Sequence, residues 1–182
     1  MHCQRCGHLT ETRDVEGRQR PVCLACGMVT YHDPKLAVCV VILREHDGGP
    51  GVLLGQRAAH TRNPGTWSFP AGFVDRSENV EAAAVREVLE ETGLTVTLGP
   101  LLGVWSGQGD STVLLAWHAE TVAGTPTAQD DLTDLAWFPV DHLPELGFSH
   151  DQDVLNRALI SRSSNQLTPS SAVDHLPPKN DS

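Results

Sequence analysis

The segment from about Asn79 to Thr92 contains no Gly or Pro, is rich in Glu, Ala, Val and Leu, and is followed at once by Gly93. That combination predicts a helix with a glycine stop. Its surroundings read differently. Leu36 to Leu43 is an unbroken apolar, β-branched run, as a buried strand requires. Arg44 to Gly51, containing Asp47-Gly48-Gly49-Pro50, reads as a turn, and Val52 to Arg57 as the returning strand of a hairpin. Val96–Trp105, Thr112–Thr121 and Leu135–Phe138 read as further strands, and Asp151–Ile160 as a closing helix. Strands around one strongly marked helix predict a layered α/β sandwich.

On that helix Glu87, Glu90 and Glu91 share a face, Glu90 about 60° to one side of Glu87 and Glu91 about 40° to the other. Ala82, Val85, Val88 and Leu89 fall on the opposite side and are expected to pack on a sheet. Nothing basic at matching spacing relieves the carboxylates; Arg86 is the nearest cation. Such crowding costs helix stability unless a hard cation such as Mg²⁺ is bound there. A solvated acidic face is the simpler reading of spacing alone.

The frame around the helix decides between these readings. From Gly72 the chain runs through five residues to Glu78 and seven more to Arg86-Glu87, then Val88, Leu89, Glu90-Glu91, Thr92, Gly93 and Leu94. This stretch resembles the signature of the Nudix hydrolases at every defined position, a coincidence on the order of 10⁻⁸ by chance at seven positions. Arg62 to Pro70, Trp137-Phe138-Pro139-Val140 and His142-Leu143-Pro144 are similar to the segments flanking that box, so the resemblance covers roughly residues 36 to 145. It implies a Nudix-type α/β/α sandwich with a mixed sheet. It also implies hydrolysis of a phosphoanhydride in a nucleotide, with Mg²⁺ or Mn²⁺ held by Glu87, Glu90, Glu91 and the Ala71 carbonyl. Glu78 and Arg86 would orient those ligands, and a sharp loop at Phe69-Pro70-Ala71-Gly72 would let the backbone approach the metal at Gly72.

In members of the family the proton acceptor often lies in a loop before the last strand. Gln129-Asp130-Asp131 occupies that place, making Asp131 a catalytic candidate against the simpler reading of a polar loop. Arg57, ending the second strand, is a candidate phosphate contact or a surface arginine; Trp105 is a candidate base-stacking residue or a buried strand aromatic.

Residues 1 to 32 carry Cys3-x₂-Cys6 and Cys23-x₂-Cys26, 16 residues apart, each pair followed by a glycine (Gly7, Gly27). Four thiolates on two tight turns suit one tetrahedral ion, predicting a structural zinc ribbon. A rubredoxin-like iron site or a redox thiol pair shares the spacing. His2 and His8 are left outside the complete shell, and Cys39 reads as a core thiol.

The expected organisation is therefore a zinc ribbon at 1–32, the Nudix domain at 33–160 and a Ser-, Pro- and Asn-rich disordered tail at 161–182. Thirteen basic against 23 acidic residues, a net charge of −10, argue against nucleic acid as a partner. No apolar run approaches the roughly 18–20 residues of a membrane span, and reduced thiols fit a cytoplasmic protein. Ribbon-bearing members of the family are often homodimers.

A ribbon ahead of such a domain resembles pyrophosphatases acting on ADP-ribose or FAD. It resembles NADH pyrophosphatases less closely, since Gly103-Val104-Trp105-Ser106-Gly107-Gln108 replaces their Ser-Gln-Pro-Trp-Pro segment. Cleavage of damaged nucleoside triphosphates and non-catalytic nucleotide sensing are the alternatives. The complete box of carboxylates favours an enzyme.

Overall fold

A computed structural model describes residues 1–46 and 49–166. The chain divides into two compact units, Met1–Pro34 and Lys35–Ser182. Among the described residues no helix is long and apolar enough to cross a membrane.

In the first unit, where a zinc ribbon was expected, the chain between the two cysteine pairs forms a hairpin, β1 (Thr10–Val15) and β2 (Arg18–Cys23), paired antiparallel from Thr10↔Cys23 to Val15↔Arg18. The two-residue turn has both φ values positive, Glu16 at 56° and Gly17 at 76°, which matches the twist of the flanking strands. Two equivalent knuckles flank the hairpin. Gly7 N–H donates to Cys3 O at 2.9 Å and Gly27 N–H to Cys23 O at 3.1 Å, both glycines at left-handed φ.

The second unit begins with β3 (Lys35–Val41), the centre of a mixed four-stranded sheet. Its neighbours are β7 (Ala71–Phe73), antiparallel, and β9 (Thr112–Ala123), parallel; β8 (Thr95–Trp105) closes the order β7-β3-β9-β8. After the exposed Lys35, strand β3 is apolar because both its faces are covered. Val38 and Val40 face a cluster that includes Ala83, Ala84 and Val88 of α1 (Val80–Thr92). Ala37, Cys39 and Val41 face one that includes Val154, Leu155 and Ala158 of α2 (Asp151–Gln166). Cys39 is thus a core thiol. The α/β sandwich with a mixed sheet is as expected.

The apolar run 36–43 is not one strand. It breaks at Ile42, and β4 (Leu43–His46) joins a second, antiparallel sheet of order β10-β5-β4, with β5 at Gly49–Arg57, β6 at Trp67–Ser68 and β10 at Leu132–Pro139. The apolar run continues through the switch into the half-buried Leu43, which hides it from a hydrophobicity pattern; Leu53 N–H meets the Ile42 carbonyl at 3.0 Å just past it. The hairpin is therefore β4–β5, paired from Leu43↔Val52 to His46↔Gly49, so most of the turn expected over 44–51 is strand; Asp47 and Gly48 lie outside the described residues.

The closing helix also runs past Ile160 to Gln166, into the stretch expected to be tail. Arg162 pairs with Glu45, and Ser163 Oγ donates to Leu159 O at 3.0 Å, tying that extra turn down. Residues 167–182, the rest of the expected tail, lie outside the described residues.

Candidate active site

Helix α1 is fixed at both ends by local chemistry. Asn79, at extended φ/ψ, accepts from Glu81 N–H and Ala82 N–H, both at 3.0 Å. Gly93 at φ +67° returns its N–H to Leu89 O at 2.9 Å. Two further end carbonyls are taken by the loop before β10, Thr127 N–H to Thr92 O at 2.8 Å and Gln129 N–H to Glu91 O at 3.0 Å. The same loop therefore caps the helix and delivers Asp130 and Asp131.

The buried stripe of α1 differs from the one expected. Leu89 is 50% exposed and Ala82 also faces out, whereas Glu87 and Glu91 are 9% and 2% exposed beside Ala83, Ala84 and Val88. Two of the three carboxylates thus lie inward, and Glu90 stays half exposed. Burial raises the carboxyl of Glu91 to about 8, and burial also raises that of Glu87. Buried carboxylates held in this way favour their charged form only when a cation is supplied.

Strand β7 stands where a sharp loop was expected. Gly72 pairs with Val38 and has no left-handed φ; what it contributes is the missing side chain. A Cβ there would lie 2.1 Å from the carboxyl carbon of Glu87. Beside it, Ala71 N–H donates to Glu91 Oε2 at 2.9 Å.

Arg86 is more than the nearest cation. Its Nε and Nη2 grip both oxygens of Glu78 at 2.8 and 2.9 Å, Nη1 reaches Glu87 Oε1 at 2.8 Å and Glu90 Oε2 at 2.9 Å, and Nη2 also donates to Phe73 O at 3.1 Å. The expectation that nothing basic relieves the acidic face is corrected, since Arg86 and Glu90 form an i, i+4 pair. The Arg86 guanidinium holds the Glu78 carboxyl down at about 2.

The carboxylates open on a cavity of about 550 Å³ that Ala71, Gly72, Glu87, Glu90, Asp130 and Asp131 share with Arg57, Arg62 and Phe148. Arg57 is held from three sides. Its Nε donates to Arg62 O at 2.6 Å, its Nη1 to Ser68 Oγ at 3.3 Å, and its guanidinium lies 5.0 Å from the centre of the Phe148 ring. The remaining guanidinium protons are available to a ligand. Trp105 is not on this cavity. Its Nε1 donates to Asp153 Oδ2 of α2 at 2.7 Å, and Arg157 lies 5.8 Å over its ring. The cavity's aromatic on the arginine wall is Phe148, in an irregular segment before α2 where no periodicity marks it.

In the first unit Cys3, Cys6, Cys23 and Cys26 bring their sulfurs within 4.8 Å of one another. The Cys3–Cys26, Cys6–Cys23 and Cys6–Cys26 distances are 3.7, 3.5 and 3.4 Å. A tetrahedron with metal–sulfur bonds of about 2.3 Å has edges of about 3.8 Å, so the cluster fits a single ion. The Cys26 N–H lowers the Cys23 thiol to about 6, which favours the thiolate a metal needs.

The family model described as NUDIX domain matches residues 33–158. Over 145 residues the chain is 34% identical to a protein of Pseudomonas aeruginosa named NAD-capped RNA hydrolase NudC, covering 79% of this chain and 49% of that one. It is 33% identical over 128 residues to the ADP-ribose pyrophosphatase of Methanocaldococcus jannaschii, covering 67% of this chain and 72% of the relative. The chain spans about half the length of the NudC relatives it matches. A crystal structure of a NUDIX hydrolase from Nitrosomonas europaea superposes with a TM-score of 0.79 at 28% identity, covering 90% of this chain and 92% of that one. Fold, carboxylate helix and matched domain agree, and the chain belongs to the Nudix hydrolase family.

Proposed function

We propose that the chain hydrolyses a pyrophosphate bond in a nucleoside diphosphate linked to a second moiety, such as ADP-ribose or FAD, and releases a nucleoside monophosphate. The observation that carries this reading is the inward pair Glu87 and Glu91 packed against β7, with Glu87 and Glu90 lining a cavity whose other wall is Arg57 and Arg62 and Glu91 buried behind them on Ala71 N–H. Carboxylates on one side and guanidinium groups on the other suit a chain of phosphates carrying divalent cations.

Glu87, Glu90 and Glu91, with the Ala71 backbone, would hold Mg²⁺ or Mn²⁺. When bound, such ions neutralise phosphate oxygens and acidify the attacking water. Arg86, clamped to Glu78, fixes the direction of the Glu87 carboxylate. Arg57 and Arg62 orient the phosphate that departs, and Asp131 on the cavity wall accepts the water proton. The water oxygen bonds to phosphorus while the bridging P–O bond breaks, its electron pair leaving on the second phosphate. The four cysteines hold a structural Zn²⁺, a closed site with no open position for chemistry. Reduced thiols in that role suit a cytoplasmic protein.

Net charge argues against broad backbone binding. It does not exclude RNA bearing a nucleotide cap, which the relatives' names make worth testing. The test is Mg²⁺-dependent release of nucleoside monophosphate from ADP-ribose, FAD, NADH and NAD-capped RNA, beside a set of nucleoside triphosphates. Monophosphate from a linked diphosphate, lost in Glu87→Gln, supports the proposal. Pyrophosphate from triphosphates alone would replace it with a sanitising role, and binding without product with a sensor.

A further inference from the structure

We infer that His60 is a positioning residue for the proton acceptor of the reaction, acting through the carboxylate of Asp131; this rests on the role proposed above for Asp131. His60 Nε2 lies 2.9 Å from Asp131 Oδ1, across 71 residues of sequence. An ionised carboxylate only accepts, so the imidazole donates.

The backbone of Asp131 is fixed without His60. Its carbonyl accepts from Ala58 N–H at 2.9 Å, Gln129 anchors the preceding loop to α1, and Asp130 sits at φ +51° to make the turn. The backbone around His60 is fixed as well, by Thr61 N–H and Oγ1, both on Ala58 O at 3.1 and 2.8 Å. Only the Asp131 side chain still has a choice. Among the described residues His60 supplies the hydrogen bond recorded on its carboxylate.

Asp131 lines the cavity and His60 does not, so the imidazole stands behind the carboxylate. With Oδ1 engaged from behind, Oδ2 is left to take the proton of the attacking water and later release it to solvent. Both side chains are largely exposed, at 68% and 48%, and an exposed pair adds little to stability. Its effect therefore belongs in turnover.

The experiment uses the full chain with Mg²⁺ and the fastest substrate among ADP-ribose, FAD and NADH, comparing Asp131→Asn, His60→Ala, His60→Gln and the double variant Asp131→Asn/His60→Ala. His60→Ala is expected to lower kcat about 5- to 20-fold with KM within about twofold and Tm unchanged. His60→Gln, which keeps a side-chain N–H, should recover most of the loss, and the double variant should be no slower than Asp131→Asn. A slow Asp131→Asn beside a His60→Ala at wild-type kcat overturns the inference, as does a His60 effect that persists in the Asp131→Asn background. Asp131→Asn at wild-type rate overturns instead the reading of Asp131 as proton acceptor.

Discussion

Gly72 and the Glu87 carboxylate occupy adjoining space: a Cβ on Gly72 would sit 2.1 Å from the Glu87 carboxyl carbon and 2.2 Å from each of its oxygens. Glu87 is therefore aimed by the lack of a side chain opposite it, while Arg86 holds one oxygen from the other side. Gly72→Ala must displace the carboxylate, because β7 is pinned to β3 and cannot retreat. The expected result is a folded protein with kcat lowered about 10- to 100-fold, measured by monophosphate release beside a thermal melt. An unchanged kcat would detach Glu87 from the chemistry.

Glu91 gives a prediction about pH. Burial pushes its folded carboxyl up to about 8, while the unfolded chain releases the proton near the ordinary value of 4.5. Between those values the folded state binds more protons, so stability falls as pH rises through the window. Asp151, raised to about 7 by burial, acts in the same sense. Metal-free protein should therefore lose on the order of a few kcal/mol between about pH 5 and 8. Glu91→Gln should flatten much of the slope, and saturating Mg²⁺ should restore stability at pH 8 to the wild type alone. Urea melts at several pH values read this directly.

What could be read from the chain follows the range of each force. Asn79 and Gly93 end α1 through contacts made within a few residues, so both ends were legible. The Gly72–Leu94 frame likewise marked Glu87, Glu90 and Glu91 as one set. Which way the helix faces was not legible. A hydrophobicity wheel turns Leu89 inward and Glu91 outward, the reverse of what is found, because the wheel ranks residues by hydropathy alone and cannot register Ala71 N–H meeting the Glu91 carboxylate or Arg86 meeting Glu87. The same limit hid the sheet switch at Ile42, where the apolar run passes unbroken from Val41 into Leu43. Phe148 was missed for Trp105 because a loop aromatic has no periodicity, and only the pairing of β5 with its neighbours brings Arg57 beneath it.

That placement of Phe148 has a kinetic consequence. The ring, 5.0 Å from the Arg57 guanidinium, limits how far the cation can swing from the cavity. Phe148→Ala should raise KM about three- to tenfold, equivalent to about 0.7–1.4 kcal/mol of a cation–π contact, with a smaller change in kcat. Phe148→Tyr should keep both constants near wild type. A fall in kcat alone would move Phe148 from binding to the chemical step.

The ribbon makes the last prediction. Within residues 1–34 the buried hydrophobic positions are Cys3, Val22 and Cys23, so two of the three are themselves members of the sulfur cluster. A segment this short, below the roughly 40 residues at which chains commonly need staples, has almost no core without a metal. Its hairpin hydrogen bonds join strands that are mostly exposed, and such a pair is marginal alone. Binding free energy for zinc is then folding free energy for the unit. One zinc per chain is expected by elemental analysis. Chelation, or Cys23→Ser, should collapse the dispersed amide signals of residues 10–23 in a two-dimensional NMR spectrum, and zinc returned to the chelated wild type should bring them back. Dispersed hairpin signals in verified zinc-free protein would mean that the four thiols are ordinary neighbours and that the hairpin is held by something else.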